Sequence, residues 1–117
     1  MSRRPATIAV ATLLGLKLLA HGVSQWVTPY EFHRDEFLYL AMGDHLRLWQ
    51  MDFPPFIALI ANLQRLVLGD HLWAIRVLPA LAGAGLIWLG MDATRRLGGR
   101  TLAQVVVGTA ILLSPLY

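Results

Sequence analysis

Hydrophobic and polar residues fall in long blocks along this chain. Residues 6–30 hold a single formal charge, Lys17. About 20 helical residues cross the hydrocarbon core of a bilayer, so this run predicts a span over about residues 6–28. The next apolar piece, residues 53–64, has only twelve uncharged residues, a length that suits an interfacial or partly buried helix ended by Gly69-Asp70. Residues 77–91 are uncharged and lie between Arg76 and Asp92. Fifteen residues cover about 22 Å, and residues 72–94 span if Arg76 and Asp92 sit near the two interfaces. Residues 94–100, TRRLGGR, read as a short basic turn, and residues 101–117 carry no charge. The pattern thus predicts an all-α membrane protein with three transmembrane helices, at about 6–28, 72–94 and 101–117. A loop over about 29–71 joins the first two.

That loop concentrates polarity. The stretch YEFHRDEFLYLAMGDHLRLWQMDFPPF, residues 30–56, holds five of the seven acidic residues. Residues 35–49 predict an amphipathic helix lying on the membrane. Phe37, Leu38, Ala41 and Leu48 form its apolar side, and Glu36, Gly43 and Arg47 its polar side. Asp44 is in register to pair with Arg47 at i,i+3. Pro54-Pro55 predicts a rigid re-entry into the following helix.

Composition supports the membrane reading. The chain is 56% hydrophobic and 15% charged, against about 25% charged in soluble domains. Its net charge of +3 forms no patch, which argues against nucleic acid and makes the arginines a topology signal. Arg3, Arg4, Arg95, Arg96 and Arg100 belong on the cytoplasmic side by the positive-inside rule, so the loop lies outside. Arg34, Arg47 and Arg65 in the loop weaken this bias without reversing it. The first apolar run exceeds the roughly 7–15 residues of a signal core, and Ala20-His21-Gly22 does not fit a cleavage site, so it reads as an uncleaved anchor. The chain has no cysteine, which excludes disulfides and thiolate metal sites.

Three features carry candidate chemistry. The adjacent acids Asp35 and Glu36 suit the first turn of a helix, where the dipole favours anions; equally, a carboxylate held at the membrane surface can accept a proton. Lys17 sits mid-span, where a lysine costs about 2.5–3.5 kcal/mol on insertion scales. His21, Ser24 and Thr28 continue a polar stripe from it, which either packs against partner helices or faces an outward-opening polar cavity. His33-x-Asp35 supplies two metal ligands without a third. Trp26, Trp49 and Trp73 fall near the expected interfaces, as in an aromatic belt.

The order of these pieces is informative. Residues 32–39 (FHRDEFLY) come first, then 51–56 (MDFPPF), then 68–70 (LGD), then 74–83 (AIRVLPALAG), then 96–99 (RLGG). This arrangement resembles the N-terminal part of bacterial GT-C glycosyltransferases of the protein O-mannosyltransferase and aminoarabinose-transferase type (glycosyltransferase family 39). The likeness covers about residues 8–117.

The resemblance implies transfer of a sugar from a polyprenyl-phosphate carrier to an acceptor hydroxyl at the outer face of the bacterial inner membrane, the N-terminus being cytoplasmic. Asp35 matches the family's first-loop aspartate, taken as general base. Glu36 accompanies it in a supporting role. Asp52 matches an acid that lines the site and in some relatives helps hold a divalent metal. By its chemistry, and not from the resemblance, Arg34 is a candidate to counter phosphate charge. Phe53 stands where a lysine follows the acid in some relatives. The family has on the order of a dozen spans, so the expectation is an N-terminal module of a longer enzyme, inactive in isolation. The alternatives are a small non-enzymatic membrane protein or assembly partner, and a transporter fragment with Lys17 on its pathway.

Overall fold

The computed structural model describes residues 4–27, 33–47 and 54–114, and these form five helices: α1 (Arg4–Val27), α2 (Arg34–Asp44), α3 (Pro55–Leu68), α4 (Leu72–Arg96) and α5 (Thr101–Leu112). No strand occurs among the described residues. Two helices, α1 over Ala6–Val27 and α4, are long and apolar enough to cross a membrane. The third apolar run yields a shorter helix than expected. α5 has 12 residues, about 18 Å of rise. Pro115 follows Ser114 in the sequence, and the residue before a proline is pushed out of helical conformation.

Two glycines terminate helices. Gly69 (φ 85°) closes α3, its N–H donating to Arg65 O at 2.8 Å, and Gly98 (φ 86°) follows α4. Positive φ is nearly free for glycine and costly for residues with a Cβ. Pro55 opens α3 in the first turn, where its missing N–H is not needed.

The residues group into two compact units. One contains α1, α4 from Pro79 onward, and α5. Its core is Leu13, Ile87 and Met91, with Ala9, Val10, Leu14, Ile111 and Leu112 packed against them. Outside this core, α1 and α4 present large apolar side chains on the surface, including Leu19, Val23, Leu81 and Leu89. Trp26, at the end of α1, is also exposed.

The other unit contains α2, α3 and the first turns of α4. α2 packs on α3 at Gly43, where an added Cβ would lie 3.2 Å from Ala58 O. Gly43 is therefore buried in a helix contact and not on a polar side. The helix also ends at Asp44, so Arg47 lies beyond it. The predicted Asp44–Arg47 pair is replaced by a longer-range one: Arg65 Nη1 lies 2.6 Å from Asp44 Oδ1, and Arg65 Nε bonds Asp70. One guanidinium on α3 thus ties the end of α2 to the turn after α3. Gln64 adds a buried bond from its amide to Ala74 O on α4.

Candidate functional site

The acid pair lies at the start of α2. His33 is the N-cap residue in extended conformation, and its Nδ1 accepts the Asp35 N–H at 3.3 Å. The Glu36 carboxylate accepts the His33 N–H at 2.7 Å, completing a reciprocal capping box. His33 Nδ1 also lies 3.6 Å from Asp35 Oδ2.

The two neighbouring carboxylates have different environments. Glu36 meets Arg76 of α4 in a forked pair, with Arg76 Nε 2.6 Å from Oε1 and Nη2 2.9 Å from Oε2. Both side chains are about four-fifths buried, at 21% and 18% exposure. Asp35 is half-exposed, and Arg34 Nε lies 3.8 Å from its Oδ1. The Arg34 side chain is almost fully exposed. Asp52 and Thr28 lie outside the described residues. The structure therefore brings Arg34, Asp35 and Glu36 together on one helical turn. It also adds a residue that sequence reading placed only at an interface, Arg76. The available signal was that an arginine inside an apolar run requires a carboxylate.

Partial burial pushes the Glu36 carboxyl up. The hydrogen bonds from Arg76 and from the His33 N–H, with the Arg76 charge, outweigh this and hold it below its ordinary value of 4.5. A carboxyl depressed in the folded state contributes stability that is complete above its unfolded value and lost as pH falls through the folded one. The contribution of Glu36 to unfolding free energy in micelles should therefore decline as pH falls below about 4.5. Glu36→Gln should remove part of that acid slope; an unchanged slope in this variant would contradict the assignment.

No group of three His, Asp or Glu side chains converges as a metal site among the described residues. The His33 side chain is engaged in capping the helix, its Nδ1 accepting the Asp35 backbone N–H. A cavity of about 460 Å³ lies in the unit formed by α1, α4 and α5, bordered by Thr7, Trp88, Asp92, Arg95 and Gln104. Its lining includes none of the acid-pair residues.

The polar stripe on α1 resolves into separate roles. Lys17 is buried, whereas Ser24 is exposed and donates to His21 O at 2.8 Å. Chemically, the acid-pair turn offers one fixed carboxylate, one accessible carboxylate and one accessible guanidinium. No family model, curated protein or solved structure matches this chain.

Proposed function

We propose that this chain is the N-terminal membrane module of a GT-C type glycosyltransferase that uses a polyprenyl-phosphate sugar donor, with Asp35 as general base. One observation carries the reading: of two adjacent acids, Glu36 is committed to Arg76 and to the helix cap, while Asp35 is left accessible. A base needs that division, because its carboxylate must reach a substrate proton while its backbone stays fixed. The apolar surfaces of α1 and α4 support membrane placement, since soluble monomers rarely expose such area.

In this reading α1 and α4 cross the inner membrane with the N-terminus in the cytoplasm, and α2 and α3 lie in the outer headgroup region. The donor's prenyl tail stays in lipid and its sugar-phosphate sits at the same depth as α2. Asp35 takes the proton from the acceptor hydroxyl as the oxygen attacks the anomeric carbon. The bond from that carbon to the phosphate oxygen breaks, and the lipid phosphate leaves with the electron pair. Direct displacement inverts the anomeric centre. Arg34 meets the phosphate charge, which grows as the bond breaks. Asp52 would contribute a second acid and would be the residue that helps hold a divalent metal.

The test has two readouts. The chain has no cysteine, so Asp35→Cys gives a single labelling position. An impermeant maleimide should reach it from outside the inner membrane. Membranes carrying the wild-type product of the whole reading frame should transfer sugar from a polyprenyl-phosphate donor with inversion. Labelling only from the cytoplasmic side, or no transfer from any such donor, refutes the proposal. A second reading, a non-enzymatic membrane protein or assembly partner, is favoured by the capping box, which accounts for Glu36 with no substrate. It predicts outside labelling without transfer.

A further inference from the structure

Lys17 is a charged residue with an unusual position. It is only 8% exposed. It lies over the backbone of α4 at Gly83, where an added Cβ would fall 2.6 Å from Lys17 Cε and 3.3 Å from Nζ. Lys17 is within a residue of the midpoint of the candidate span Ala6–Val27, and Gly83 is within two of the midpoint of Leu72–Arg96. The contact therefore sits at mid-depth of both helices, about 15 Å from either end of the span Ala6–Val27.

Asp92 is the one acidic residue in the sequence of the unit that contains Lys17. It pairs with Arg95 and Arg96 at the end of α4, not with Lys17. A lysine buried at the bilayer centre is stabilised by an anionic partner, because lipid provides no water to solvate its charge.

The choice of anion follows from depth. A lipid headgroup phosphate lies at the interface, about 15 Å away along the helix axis. A second copy of the chain offers nothing at this depth, since neither residues 6–27 nor 77–91 contain an acid. We infer that Lys17, lodged against Gly83, is the docking point for an Asp or Glu side chain on a separate membrane-spanning helix. Gly83 matters because it lets the lysine stem lie flat on α4 and so fixes where the ammonium is presented. The inference rests on the membrane placement of α1 and α4, and not on sugar transfer.

The full chain, labelled with a donor fluorophore, would be reconstituted in phosphatidylcholine vesicles. The probes are acceptor-labelled Leu/Ala transmembrane peptides of about 21 residues carrying a central Asp, Asn or Leu. Energy transfer should show the Asp peptide binding about tenfold more tightly than the Leu peptide. Lys17→Met should abolish the difference and Lys17→Arg should keep it. Equal binding of the Asp and Leu peptides, equal binding of the Asp and Asn peptides, or a preference that survives in Lys17→Met, would each overturn the inference. Flotation of the vesicles separates the two levels of failure. A chain that does not insert overturns the membrane reading and this inference together. An inserted chain with no preference for Asp overturns this inference alone.

Discussion

Asp35→Asn is expected to lower sugar transfer by about 10²–10⁴-fold, the usual worth of a positioned general base, and to leave the fold intact. The amide matches the carboxylate in shape but cannot take the hydroxyl proton. Its structural cost is small because Asp35 is half-exposed and Arg34 Nε stands 3.8 Å from its Oδ1. The His33 cap uses the Asp35 backbone N–H, which the substitution retains. Helical content, membrane fraction and thermal unfolding should match wild type while turnover collapses. Wild-type turnover in Asp35→Asn would remove the base assignment. Loss of turnover together with loss of folding would also count against it, since the residue would then be structural.

Arg76→Met should do the opposite, damaging the fold of the α2–α3 unit. Glu36 would keep its partial burial and lose both charge-assisted bonds from Arg76. Breaking a buried pair by removing one partner costs about 3–5 kcal/mol. With each side chain about a fifth exposed, screening brings the expected loss to about 2 kcal/mol. Denaturant unfolding in micelles measures it. The double variant Glu36→Gln, Arg76→Met should recover part of the loss, because no unpaired charge remains. Wild-type stability in Arg76→Met would show that the contact contributes nothing.

Much of the helical layout was legible in the sequence because it depends on local signals. The starts of α2 and α4, the break at Gly69-Asp70 and the basic turn after α4 all follow from caps, positive-φ glycines and charge placement. The end of α2 differs from the sequence expectation by several residues. Periodicity continues through Leu48 in the sequence, whereas the helix stops at Asp44, which is drawn to Arg65 on α3. Periodicity also put Gly43 on a polar side, and its lack of a side chain turned out to be what admits α3. A helical wheel reports which residues share a face, but not which face meets a partner. The candidate site divides in the same way. Its residue types were visible in Arg34, Asp35 and Glu36. The asymmetry between the two acids was not, because it comes from Arg76, forty positions further along the chain.

That forked contact makes positions 36 and 76 a single inherited unit. Neither charge can be lost alone without stranding the other inside the protein, so drift at one position should be answered at the other. Among descendants of a common ancestor, the two sites should appear either as acid with arginine or as two neutral residues, with mixed states scarce. Position 35 has no such tether, and only selection for its chemistry would hold it still.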